Sequence, residues 1–174
     1  MKQYETPIYK IVLADGPFEV RSYQAFYIVQ YENKEDASAS KGFMTLFKYI
    51  DKNNADNEKI SMTIPVIEEL ESQHLVMSFV IPQKYWESIP QPKDSALHIK
   101  SFEEGYYAVI HYSGNATRQI EKRKMEELRS WIENKNFVME SNFKFAYYNS
   151  PMVPGPFRRN EILVKIVEFD LAVK

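Results

Sequence analysis

The sequence contains no cysteine, which removes disulfide frameworks, thiolate metal sites and cysteine nucleophiles together. That absence fits a reducing compartment, so a cytoplasmic location is expected. Glycine is scarce, 5 in 174 residues. No phosphate loop, dinucleotide fingerprint or Gly-x-Ser-x-Gly elbow occurs. Charge of one sign is also lacking: 22 basic against 24 acidic residues give a net charge of -2. Without clustered Lys and Arg, a nucleic-acid surface is not expected. No apolar run approaches the ~18 residues of a membrane span, and Met1–Pro7 has no apolar signal segment. No membrane partner is therefore expected. His74, His98 and His111 are scattered, with no His-x3-His or Glu-x-x-His spacing, so no metal site is expected. Glu68-Glu69, Glu103-Glu104 and Glu126-Glu127 read as solvated turns and helix faces, not acid–base pairs. The chain is not read as an enzyme.

What the sequence does have is apolar and aromatic surface: 12 Tyr, 11 Phe and 7 Met in a chain that is 44% hydrophobic. Most of it patterns as core. Ile60, Met62, Ile64 and Val66 alternate with polar residues, as do Leu75, Met77, Phe79 and Ile81. Two half-buried strands are predicted, joined by the acidic connection 68–74. Pro65 lacks a donor and demotes its strand to an edge or bulge. Earlier strands are predicted at 8–13, 18–23 and 25–31, with a turn at Ala14-Asp15-Gly16-Pro17. A helix follows from Ser38 or Ser40 to about residue 51, with Phe43, Leu46, Phe47 and Ile50 as its core face. After a Pro-containing linker at 83–95 the order repeats. Strands are predicted at 96–102 and 106–112, a helix at 116–134 capped by Asn115, and strands at 143–148 and 162–169. The helix buries Met125, Leu128 and Ile132. Strand-strand-helix-strand-strand thus occurs twice, at an offset of roughly 80 residues. The fold class is α+β, with antiparallel strands, two helices on the sheet and curvature that limits exposed edges.

On the first helix the apolar arc runs past the core face onto Met44, and Lys41 and Lys48 border that extension. An apolar patch flanked by cations suits a flat amphipathic ligand carrying carboxylates.

Several segments resemble the SOUL haem-binding protein family. They are Glu5-Thr6-Pro7-Ile8-Tyr9 and Phe18–Tyr23, then Gly42-Phe43 through Tyr49-Ile50 with Asn54, then Ile60-Ser61-Met62-Thr63-Ile64-Pro65-Val66 and Ser78–Pro82. At the C-terminal end come Tyr148-Asn149-Ser150-Pro151 and Pro156-Phe157-Arg158-Arg159-Asn160-Glu161-Ile162. They span nearly the whole chain in the family's order. The resemblance implies one domain over 1–174, with pseudo-repeats at about 4–82 and 96–170. The repeats would be duplicated βαββ units forming a twisted, antiparallel, barrel-like sheet flanked by two helices. It implies reversible binding of haem or protoporphyrin by a carrier or buffer. The ligand would lie in an apolar groove along the first helix, with basic side chains near its propionates. By position that points to Phe43, Phe47 and Lys48, and to His74 where relatives carry a basic residue. Ser40 stands where some relatives have Arg, and Lys41 is the neighbouring cation. Arg158–Glu161 reads as structural, satisfying carbonyls of the Pro-rich loop.

Two other readings stay open. The duplicated layout also resembles the GyrI-like superfamily of effector-binding modules, which take amphipathic cations and need a central buried carboxylate. Glu19, Glu140 and Glu168 are the acids within or beside strands. A protein-interaction role for the Met44 patch is the other. Oligomeric state is not legible.

Overall fold

The computed structural model describes residues 3–35, 38–71 and 74–167. Among the described residues, nine strands and two α-helices follow one another as β1 (Tyr9–Asp15), β2 (Phe18–Tyr23), β3 (Phe26–Tyr31), α1 (Ala39–Ile50), β4 (Val66–Glu71), β5 (His74–Val80), β6 (Leu97–Phe102), β7 (Gly105–Tyr112), α2 (Arg118–Asn134), β8 (Lys144–Tyr147) and β9 (Asn160–Ile166). The α+β class holds, and the strand pairs within each unit are antiparallel.

The chain forms two compact units, Met1–Pro7 with Ala25–Glu103, and Ile8–Gln24 with Glu104–Lys174. In the first, the strand order is β4-β5-β3-β6 and α1 packs on β3 and β5. In the second it is β8-β9-β7-β2-β1 and α2 packs on β7 and β9. The two β-α-β-β segments, β3-α1-β4-β5 and β7-α2-β8-β9, therefore fold alike. The strand preceding each one pairs elsewhere: β2 joins β7, and β6 joins β3. The first unit thus takes its outer strand β6 from the second sequence repeat, and the second unit takes the β1-β2 hairpin from the first. Neither unit's strand order returns on itself, so the barrel-like closure expected from the sequence is absent within the units.

The first-half hairpin differs from the sequence expectation. The strand predicted from the alternation of Ile60, Met62, Ile64 and Val66 begins only at Val66. Pro65 follows a cis bond and cannot donate to a ladder. The segment before it is held by single contacts: Ile60 N–H donates to Ile50 O at 2.9 Å, Thr63 bridges Glu5, and Thr63 Oγ1 donates to Val80 O at 2.6 Å. The ladder then runs to Glu71↔His74, so most of the expected acidic loop is strand. The predicted last strand ends at Ile166, and its continuation to Phe169 lies outside the described residues. The cap of α2 is Thr117, whose hydroxyl accepts from Ile120 N–H, and not Asn115.

Core composition follows the same logic. Leu128, Trp131 and Ile132 of α2 bury against Val20, Ile110 and Val164. Trp131 is an addition to the expected face, with its indole N–H donating to Asp15 Oδ2 at 2.9 Å. On α1 the buried residues are Gly42, Leu46, Tyr49 and Ile50. Phe43 and Phe47, expected inside, sit at the edge of that face and remain partly open. Tyr49 takes the interior because its hydroxyl finds Pro90 O at 2.7 Å. Gly42 lets the helix close on Tyr31: a Cβ there would lie 3.0 Å from that ring.

Candidate functional site

The exposed strip of α1 is built by spacing. Phe43 and Phe47 are four apart and share one helical row; Lys41, Met44 and Lys48 occupy the adjacent row. The Phe43 and Phe47 rings lie nearly parallel, 17° apart with centroids at 6.3 Å. Phe43 is propped edge-on by Phe79 of β5, centroid distance 5.4 Å. Phe43, Met44 and Phe47 are 38%, 51% and 43% exposed. Lys41 and Lys48 are exposed beside them. The strip is thus a small aromatic platform with a thioether and two ammonium groups at its margin.

His74 is not brought to this platform. Along β5, Met77 and Phe79 belong to the cluster under α1. Period-two alternation puts His74 on the opposite sheet face, with Val76 and Ser78. There it meets Glu32, Nε2 to Oε1 at 3.8 Å, and stands across the ladder from Glu71. One ligand atom from each of the three lies within 4.8 Å of the others. Glu32 also faces Lys100 at 3.8 Å, a cation already present at the same carboxylate.

The second unit holds a polar constellation on the sheet face turned away from α2. Arg21 of β2 places Nη1 2.7 Å from Glu161 Oε2 and Nη2 2.8 Å from Oε1. Its Nε donates to Glu19 at 2.6 Å and Nη1 also reaches the Tyr23 hydroxyl at 3.0 Å. Arg159 donates Nε and Nη2 to Glu161 Oε1 at 2.9 and 2.8 Å, and Nη2 to the Tyr9 hydroxyl at 3.0 Å. Its guanidinium lies 4.0 Å from the Tyr148 ring centroid. Burial alone would push the Glu161 carboxyl up. The hydrogen bonds and charge of Arg21, with those of Arg159, outweigh it and hold the group below the usual carboxylate range. Burial pushes the Tyr23 phenol up to about 12, against the pull of Arg21.

Sequence reasoning missed this constellation. Arg158 does what was expected of the C-terminal motif, donating to Val153 O at 2.7 Å and to Pro151 O. Arg159 and Glu161 do something else. The available signal was Arg21 itself, a cation inside an alternating strand that points away from the apolar face. Of the acids proposed as a buried carboxylate, Glu19 is largely buried but paired with Arg21. Glu140 is half exposed and lies 3.8 Å from Lys165, and Glu168 lies outside the described residues. Among the described residues the fully buried carboxylate is Glu161, and it is neutralised by two guanidiniums, which leaves no free anion there for a cation.

Among the described residues, no helix is long and apolar enough to cross a membrane. No curated protein matches the sequence. Solved structures do match. The C-terminal domain of EcmrR superposes with a TM-score of 0.64 at 8% identity, covering 93% of this chain and 99% of that one. A protein from Listeria innocua described as a hydrolase superposes with a TM-score of 0.60 at 10% identity, covering 90% and 94%. EcmrR in a DNA complex gives 0.65 at 6% identity, covering 87% of this chain and 57% of that one. These likenesses show a shared fold, and at such identities they show the fold alone. The family model described as SOUL heme-binding protein matches residues 4–165, nearly the whole chain, and the chain belongs to that family.

Proposed function

We propose that this protein binds a tetrapyrrole, haem or protoporphyrin, reversibly and without covalent attachment, on the exposed strip of α1. The observation that carries the reading is the open, near-parallel Phe43–Phe47 pair with Met44 and two lysines at its edge. One porphyrin face would cover these apolar groups, and the propionates would pair with Lys41 and Lys48. Covering about 100 Å2 of apolar side chain would contribute roughly 2–3 kcal/mol. Each exposed ammonium–propionate pair would add about 0.2–1 kcal/mol. Together these contacts come to about 2.5–5 kcal/mol, the range of weak, readily reversible binding near millimolar ligand. His74, on the other sheet face, has no part in it, so iron ligation by that side chain is not required. The role is binding and not catalysis; the hydrolase description belongs to the structural neighbour.

The test is a titration of the purified protein with haemin and, separately, with metal-free protoporphyrin, followed by the Soret band. Saturable binding of both, weakened in Phe47→Ala with Lys48→Glu, supports the reading. A titration that stays flat up to millimolar ligand overturns it.

A further inference from the structure

The face of the second unit's sheet turned away from α2 opens into a cleft of about 540 Å3 bordered by Tyr9, Arg21, His111, Phe157, Arg159 and Glu161. That volume is within the ~300–1,000 Å3 usual for small-molecule sites. The tetrapyrrole reading makes no use of it. Its floor is electrostatically closed. Both oxygens of Glu161 accept from guanidiniums, and every nitrogen of Arg21 has a partner.

What is left above the floor donates hydrogen bonds. Arg159 uses Nε and Nη2 on Glu161 and Tyr9; its Nη1 has no partner among the described residues, and the side chain is about half exposed. The Tyr9 hydroxyl accepts from Arg159, which leaves its own hydrogen to give. His111 stands directly across the β7–β9 ladder from Glu161. Its nearest acidic partner, Glu19 Oε1, is 3.8 Å away, beyond hydrogen-bond reach. Charge points the same way: Arg21, Arg158 and Arg159 face Glu19 and Glu161, three cations against two anions. Apolar surface is supplied at the rim by Phe157, whose ring is largely in solvent, and by the Tyr9 ring.

We propose that this cleft is a second small-molecule site, taking an aromatic monocarboxylate whose anionic oxygens meet Arg159 and His111 while its ring lies against Phe157. A cation finds no unpaired acid there, and a neutral aromatic would leave the guanidinium edge unanswered.

The experiment is calorimetric titration of the full chain with 1-naphthoate, 1-naphthamide and 1-naphthylmethylammonium. Naphthoate is expected to bind at least about tenfold more tightly than the amide, and the ammonium compound not at all. Phe157→Ala and His111→Gln alter exposed or half-exposed side chains and leave the buried ion network in place. Each is expected to weaken naphthoate by about tenfold. Phe47→Ala with Lys48→Glu should leave naphthoate binding unchanged, so failure here and failure of the tetrapyrrole reading are separately visible. Equal or tighter binding of the amide or the ammonium compound overturns the proposal. So does naphthoate binding that ignores both cleft variants, or the absence of any naphthoate heat at millimolar ligand.

Discussion

Arg21 and Glu161 meet through two parallel hydrogen bonds, at 2.7 and 2.8 Å, across 140 residues of sequence, with side-chain exposures of 2% and 0%. A buried pair of this kind is held by mutual dependence more than by net gain. Removing one partner leaves an uncompensated charge, whereas replacing both with apolar side chains is often nearly neutral. Arg21→Met is therefore expected to cost about 3–5 kcal/mol. Glu161→Leu in that background is expected to recover much of the loss. Urea denaturation of the two variants and the wild type measures it. Equal stability of the single and double variants would show that Arg159 satisfies the Glu161 carboxylate without Arg21.

The same network sets an acid limit. Glu161 has its folded pKa held below the unfolded value of about 4.3. Its contribution to stability is present above that value and is lost as pH falls through the folded pKa. Glu121, in the first turn of α2, has the opposite sign. Burial raises it, against a hydrogen bond from the Tyr147 hydroxyl and the charge of Arg118. It is a cost at neutral pH that disappears as it takes up a proton on acidification. Stability should thus rise slightly from neutral toward weakly acidic pH, then fall below about pH 4. Thermal melts across pH should show both limbs. Glu121→Gln should flatten the first, and Glu161→Gln the second.

How much of this the sequence could show depended on the kind of force. Period-two runs placed β2, β3, β5, β7 and β9 to within a few residues, because burial on one face leaves a local signature. The strand at Lys59–Ile64 did not form, although its alternation is as regular as that of β5. Pro65 prevents ladder pairing at the point where partners were needed, and contacts from Glu5, Ile50 and Val80 hold the segment instead. Those partners are distant in sequence. The exchange of β2 and β6 between the repeats was illegible for the same reason. On α1, heptad-like spacing suggested Phe43 and Phe47 for the core, but the close approach of Gly42 to Tyr31 rotates the face, and both rings stay partly open. That displacement is what leaves the candidate strip. The cleft residues Arg21, His111 and Glu161 come from three strands, so no spacing links them.

Asn54 was visible only as part of a motif, and the structure supplies its physics. Its side chain is fully buried between α1 and the segment that follows. Nδ2 donates to Tyr49 O at 2.9 Å and to Glu58 O at 2.8 Å, and Oδ1 accepts from Glu58 N–H at 3.0 Å. Asn54→Ala orphans the buried Tyr49 carbonyl and the part-buried Glu58 N–H and carbonyl. A loss of about 2–3 kcal/mol is expected, with Asn54→Asp no better because two acceptors then lose their donor. Denaturant midpoints decide it.

Gly42→Ala sets two known effects against each other. Alanine should favour the helix by about 1 kcal/mol. Its Cβ would sit 3.0 Å from Cδ1 of a Tyr31 ring that is itself fully enclosed. Overpacking of that kind costs about 1–3 kcal/mol. Net destabilisation by roughly 1 kcal/mol is expected, and Gly42→Leu should be far worse. A stabilised Gly42→Ala variant would mean that α1 can shift away from β3, and with it the Phe43–Phe79 contact.

The tetrapyrrole reading makes a prediction about which side chains should not matter. His74→Ala is expected to leave haemin and protoporphyrin affinity unchanged within about twofold, because β5 turns that side chain away from α1. Phe47→Ala should weaken both ligands by about tenfold, equivalent to ~1.4 kcal/mol, since half of the stacked pair is lost. Lys48→Glu should weaken them further at low salt and less at high salt, where the ammonium–propionate attraction is screened. Side-by-side Soret titrations of the three variants at two ionic strengths separate these outcomes. If His74→Ala abolished haemin binding while Phe47→Ala did not, the ligand would sit on the opposite sheet face, beside Glu32 and Glu71, and the α1 strip would have to be abandoned as the site.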